Sequence, residues 1–218
     1  MPRNIFNTEM ENIRSDILAM SLRVEENLYK AVCSLKDRDI KLAQWVKLDD
    51  KTVNAMQLAL QDRAAVLMAT HQPVARDLRE LVSTIRLADN LERMGDYTVH
   101  LARTVIKLKD AQWPRQFSIL GEMGDLGCKM IRSMTDAYLS LDADAAALCA
   151  KNDTAVDDLH HKLMAITLEG VKGNPETAEE AIKLIRTSGF LERLADHVTN
   201  SCELVVYIVT GSHVEFNV

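Results

Sequence analysis

The chain has 218 residues, 47% of them apolar, and carries 26 Lys and Arg against 32 Asp and Glu for a net charge of −6 at pH 7. An acidic balance with dispersed basic residues and few aromatics excludes nucleic-acid binding, because a phosphate backbone is repelled rather than gripped. Only 8 Gly and 4 Pro interrupt the sequence, so long helices joined by few turns are expected.

The first helix is predicted from about Asn7 to Leu35, where Ile13, Ile17, Met20, Val24 and Leu28 share one apolar face. Asp37 is the expected N-cap of a second helix that runs to about Thr70. His71-Gln72-Pro73 makes the turn into a third, with Pro73 near its first position, ending near Asp110. Trp113-Pro114 marks a boundary. A fourth helix follows from Pro114 to about Leu139 and a fifth from Asp142 to about Glu169. Gly170, Gly173 and Asn174-Pro175-Glu176 turn the chain into a sixth, which Gly211 stops. The expected fold is all-α, two tandem pseudo-symmetric three-helix bundles over residues 1–111 and 112–218.

Duplication is visible directly. Residues 85–108 return one hundred residues later, with Ile85/Ile185, Arg86/Arg186, Leu91/Leu191, Glu92/Glu192, Arg93/Arg193, Asp96/Asp196 and Val105/Val205 identical. The shared element is L-E-R-x-x-D, which on a helix puts Glu and Asp one turn apart on one side. In heptad register, Glu92 and Glu192 fall in otherwise apolar or small seams. Asp50 and Asp153 interrupt the seams of the second and fifth helices, with Asn54 and Asp157 one turn further on.

Heights along the helices agree. Asp50 lies 20 residues before Thr70 and Glu92 lies 19 after Pro73, both roughly 30 Å from the shared turn. Asp153 and Glu192 are each 17 residues from Gly170 and Pro175 respectively. Antiparallel packing therefore brings Asp50 to Glu92 and Asp96, and Asp153 with Asp157 to Glu192 with Asp196. Carboxylates crowded near a core need protons, basic partners or a cation. Arg93, Arg193, Arg86 or Arg186 could neutralise them as a salt-bridged layer. A cation is the alternative: oxygen ligands suit Mg, Mn, Ca or Fe, and His100 or His160 widens the range toward Zn. His100 follows Asp96 by four residues, where the second repeat has Asn200. The other histidines, His71, His161, His197 and His213, are expected at the surface or in turns, and Trp45, Trp113 and the methionines in packing.

No apolar leader is expected before the first helix, and no apolar stretch is long enough to span a bilayer. Cys33, Cys128, Cys149 and Cys202 show no C-x-x-C spacing and are expected as small buried hydrophobes in a reducing compartment. A cytoplasmic protein is expected. No P-loop, G-x-S-x-G or nucleophile signature is present, and no Glu stands three residues before a His. That disfavours a ferritin-like oxidase or hydrolase, although metal storage or a carboxylate-bridged enzyme remains the alternative to an interaction protein.

L-E-R-M-G-D-Y and L-E-R-L-A-D-H-V-T-N, with Q-P-V-A-R-D-L-R at Gln72–Arg79, D-x-x-x-N at Asp50–Asn54, D-x-x-x-D at Asp153–Asp157 and V-x-Y-x-x-x-G at Val205–Gly211, resemble the PhoU family of phosphate-uptake regulators over residues 7 to 211. The resemblance implies a non-enzymatic, homodimeric regulator that represses the phosphate-starvation response. Its implied partners are the ATPase of a phosphate ABC transporter and a membrane sensor histidine kinase. Some members hold multinuclear metal clusters, which implies Asp50, Glu92 and Asp96 in one half and Asp153, Asp157, Glu192 and Asp196 in the other as ligands for Fe, Mn, Mg or Zn, with Asn54, His100 and Asn200 as further candidates. Asn54 replaces an acid and His100 an Asn of the family pattern, so the resemblance implies a weaker or different ion in the first half.

Overall fold

The computed structural model describes residues 2–216. Its helices are α1 (Pro2–Asp37), α2 (Ile40–His71), α3 (Ala75–Lys107), α4 (Pro114–Ser140), α5 (Ala143–Ala150), α6 (Asp153–Gly173) and α7 (Ala178–Thr210), with a single 3₁₀ turn at Pro175–Thr177. The fifth expected helix is therefore broken. Lys151 and Asn152 separate α5 from α6, and Asp153 becomes the first residue of α6 rather than a mid-helix residue. In other respects the six-helix plan holds, and no strand occurs among the described residues.

The chain turns between its first two helices in the same way in each half. Arg38 and Leu141 both adopt left-handed backbone, at φ 54. The next residue's N–H reaches back five positions, Asp39 to Ser34 O at 3.0 Å and Asp142 to Ala137 O at 2.9 Å. Those bonds satisfy carbonyls that a helix end would leave unpaired. Asp39 and Asp142 then cap α2 and α5 by accepting from the second and third backbone N–H groups beyond. The α2 cap is thus Asp39 and not Asp37, which still belongs to α1. Likewise α3 starts at Ala75, not Pro73, because Gln72 takes left-handed backbone to close α2. Helix α3 also stops at Lys107 rather than near Asp110. Asn174 accepts from Glu176 N, and Gly211, at φ 78, ends α7.

Helix α2 packs on α1 and α3, and α5 and α6 pack on α4 and α7; the halves meet where α1 lies on α4 and α3 on α7. One apolar core runs through both. It is built from the face anticipated on α1, with Ile13, Ile17, Met20, Val24 and Leu28 fully buried, and from Val46, Val53, Leu60 and Leu67 of α2. Leu78, expected in the α3 seam, is 40% exposed, since the seam begins one turn later at Leu81.

Polar ties at repeat-equivalent positions differ. Glu80 is buried at 1% and held bidentately by Arg14, at 2.5 and 2.7 Å. Its counterpart Glu180 accepts the Trp113 indole N–H at 2.6 Å. Trp113 is itself buried and lies against Gly170, where a Cβ would come within 2.8 Å of the ring. Gly170 thus serves close packing inside α6 rather than a turn. Trp45, in contrast, is 38% exposed, with the Lys30 ammonium 3.7 Å from its ring centroid. Among the cysteines, only Cys149 and Cys202 are buried; Cys33 and Cys128 are half-buried, and all four are free thiols.

Candidate functional site

The α2–α3 groove holds the first acidic cluster. Helices approach closely there because α3 has Gly95, whose added Cβ would sit 3.3 Å from Val53. Asp50 is half-buried, with its Oδ1 buried and without a hydrogen-bond partner; the Asn54 Oδ1 one turn on is in the same state. Burial and the nearby Asp96 charge push the Asp50 carboxyl above its ordinary range. Burial, then Asp96, with Asp50 and Asp89 contributing, pushes Glu92 up as well. The structure thus brings Asp50, Glu92 and Asp96 into one field. Arg93 moderates it: its guanidinium lies 3.6 Å from Glu92 and 3.3 Å from Asp96. The Glu92 contact comes from the adjacent residue, a reach that inspecting only the i±3 and i±4 positions overlooks.

Asp49, next to Asp50, points elsewhere. It accepts from Arg23 at 2.6 Å and from Asn27 at 2.9 Å on α1. Burial would raise its carboxyl, but the Arg23 and Asn27 bonds outweigh that and leave it lowered. Two neighbouring acids on one helix are therefore sorted into a salt bridge and an unpaired site by direction alone.

The second cluster lies between α6 and α7. Asp153 is 9% exposed and its Oδ1 has no hydrogen-bond partner. Burial, followed by the charges of Asp196, Asp157 and Glu192, pushes its carboxyl up to about 7. Being first in α6 should favour the charged form, so burial and three acids together override the helix end. Glu192 and Asp196 are also raised, by burial first and by neighbouring acids second. The structure therefore places Asp153, Asp157, Glu192 and Asp196 in one electrostatic field. Thr199, fully buried one turn beyond Asp196, has an unpartnered hydroxyl.

The nitrogen candidates are engaged elsewhere. His100 stacks on Phe190 of α7, with ring centroids 4.1 Å apart, so it faces the α3–α7 seam. His160 shares a 2.8 Å hydrogen bond with Ser188, and burial lowers its pKa. His197 is not a surface residue: it is half-buried, bonds Asn90 Oδ1 at 3.0 Å and leans on Tyr97. Asn200 is half-buried on α7, four residues beyond Asp196.

As placed, no three His, Cys, Asp or Glu side chains converge closely enough to hold an ion among the described residues. The donor chemistry nonetheless fits a hard cation. Raised carboxylates beside unpartnered oxygens of Asp50, Asn54, Asp153 and Thr199 are groups that an ion would satisfy. Basic residues, which look dispersed along the sequence, also converge at one place: Arg103, Lys107, Lys183 and Arg186 line a cavity on the α3–α7 seam. Their i, i+4 and i, i+3 spacings on the two repeat helices were the available signal.

An all-helical protein with two duplicated acidic grooves and no membrane-spanning helix among the described residues is the class that fold and site define. The family model for the PhoU domain matches twice, over residues 17–105 and 120–205, and the chain belongs to that family. A phosphate-specific transport system accessory protein PhoU homolog of Pseudomonas putida is 33% identical over 96% of this chain and 82% of its own length. The crystal structure of PhoU from Pseudomonas aeruginosa superposes with a TM-score of 0.90 at 33% identity, covering 95% of this chain and 100% of that one. That of the phosphate transport system regulatory protein PhoU from Streptococcus pneumoniae gives 0.89 at 29% identity, over 96% and 99%.

Proposed function

We propose that this protein is an accessory regulator of phosphate transport. It acts by binding rather than by catalysis, as a cytosolic adaptor between the ATPase of a phosphate ABC transporter and a membrane sensor histidine kinase. The observation that carries this reading is the double family match spread over both halves together with near-complete superposition on PhoU structures. An adaptor needs exposed, partner-ready surface, and α1 offers Leu22 and Tyr29, 52% and 59% exposed seven residues apart on one stripe. A homodimer fits the same kind of surface. Deleting the protein should derepress phosphate-starvation genes in phosphate-replete medium, and tagged protein should capture the transporter ATPase and the kinase. Unchanged expression on deletion would overturn the reading.

The acidic clusters favour a second, compatible role. Asp50, Asn54, Glu92 and Asp96, and separately Asp153, Asp157, Glu192 and Asp196, would hold Mg, Mn, Fe or Zn as a structural or regulatory element. A bound ion supplies positive charge that offsets the crowded carboxylates. The side chains themselves converge across each groove, lose their raised proton affinity and tie α2 to α3 or α6 to α7. Metal storage is one alternative to this reading and a metal-dependent oxidase or hydrolase another, and nothing in the histidine placement supports the enzyme. Elemental analysis of wild type and of Glu92→Gln and Glu192→Gln separates these cases. Each substitution should remove the ion of its own half while circular dichroism stays unchanged, and equal metal content in all three would reject the ligand assignment.

A further inference from the structure

Helices α3 and α7 run antiparallel across the middle of the molecule, and the two ends of their seam differ. At one end His100, Arg103, Thr104 and Lys107 of α3 face Lys183, Arg186, Thr187 and Phe190 of α7 around an open cavity of about 180 Å³. One water needs only ~10–15 Å³. Arg103, Lys107 and Arg186 are exposed and form no ion pair among the described residues. Lys183 is tied to Glu179 at 2.6 Å, and Glu179 is 83% exposed. The floor is polar: Thr104 and Thr187 are buried with hydroxyls 2.7 Å apart. Three cations without an ion pair and a fourth paired only at the surface, in a protein of net charge −6, concentrate positive charge that an anion entering the cavity would offset.

The repeat supplies an internal comparison. At the hundred-residue offset, Glu203 and Tyr207 stand where the cavity has Arg103 and Lys107, and Ser83 stands where it has Lys183; only Arg186 keeps its counterpart, Arg86. That other end is closed by the chain's own tail. The Phe216 N–H donates to Glu203 at 2.8 Å, and His213 stacks on Tyr207. Duplication alone therefore does not account for the cationic cavity. It is particular to one end, and that end is open.

We infer that this cavity binds a phosphoryl oxyanion. Arg103 and Arg186 approach from opposite helices as planar forks matched to tetrahedral oxygens, and Lys107 and Lys183 add point charge. The anion bridges the two halves of the molecule, since α3 belongs to one and α7 to the other. It also sits on the same two helices as the acidic motifs, with His100 one turn from Asp96. This deepens the regulator reading by naming the chemistry sensed, and relies on it only for its biological meaning. Free orthophosphate and a phosphorylated metabolite share the required chemistry.

Isothermal titration calorimetry on the purified full chain at low ionic strength tests the inference, with orthophosphate, pyrophosphate and an Asp-rich peptide as separate titrants. One saturable site per chain is expected for a phosphoryl anion. Affinity should fall at least about tenfold in Arg103→Gln/Arg186→Gln and measurably in Lys107→Gln, and stay unchanged in Arg86→Gln, the counterpart at the closed end. Tighter orthophosphate binding identifies a free anion as the ligand, and tighter pyrophosphate binding identifies a phosphorylated metabolite. No saturable phosphoryl binding, equal affinity in the double variant, or binding of the acidic peptide alone would overturn it. The regulator reading is judged separately by the deletion phenotype, so either can fail without the other.

Discussion

The two acidic grooves share an ancestral hairpin, yet they manage their charge differently. In the first, Asn54 takes the place of an acid and the Arg103 charge offsets Asp50, while Arg93 and Arg193 offset Glu92 and Glu192 alike. Asp50 is only half-buried. In the second, Asp157 restores the acid, the helix breaks immediately before Asp153, and that carboxyl is buried among three others and raised to about 7. The lesson is that duplication copies positions, whereas the net field at a site depends on one or two neighbours. A single amide for carboxylate, or a guanidinium within reach, separates a damped cluster from a strained one.

The largest effect should come from the tie that only the first half has. Arg14→Ala strands the buried Glu80 carboxylate, and urea unfolding should show a loss of about 3 kcal/mol or more. A loss under 1 kcal/mol would mean that Glu80 finds another partner or a proton. Next is the strained carboxyl of the second half. Its folded-state pKa lies above the unfolded value, so the protonated form stabilises the fold below about pH 4 and that stability is lost as pH rises through about 7. In chelator, Asp153→Asn should therefore stabilise the protein by on the order of 2 kcal/mol at pH 8 and by little at pH 4. A variant whose advantage does not depend on pH would contradict the placement.

Conversion of one groove toward the other is a finer test. Asn54→Asp gives the first cluster the acid it lacks, and should tighten Mn²⁺ binding at that half about tenfold by titration, at some cost in metal-free stability. The smallest effect is expected from Arg93→Gln. Removing an exposed guanidinium should change stability by less than about 1 kcal/mol while raising the proton affinity of Glu92, visible by carboxyl NMR titration. A large stability loss would assign Arg93 a structural role that its exposure does not suggest.

Much of this was legible before any coordinates. Apolar spacing located the helices, since Ile13 through Leu28 had only one face to bury. The L-E-R-x-x-D repeat and the equal heights of Asp50 and Glu92 located the grooves. The break at Lys151–Asn152 was not legible, because its flanks, Cys149-Ala150 and Asp153 onward, keep helical periodicity and contain neither Gly nor Pro. Asp49 was invisible for a related reason. Its role is set by Arg23 and Asn27 on another helix, and sequence order gives no distance between helices. The same limit hid His100, which the repeat aligned with Asn200 but which packing turned toward Phe190. The cationic cavity needed the antiparallel pairing of α3 and α7 before its four charges could be seen as one group.

The placement of the two tryptophans has a practical consequence. Trp113 is sealed between Gly170 and Glu180 in the second half, while Trp45 lies at the solvent boundary of α2 beneath Lys30 in the first. The unaltered chain therefore carries one blue-shifted and one red-shifted intrinsic fluorophore, one for each repeat. Without any label, a red shift of the emission should report loosening around Trp113 when the protein is heated or loaded with ligand.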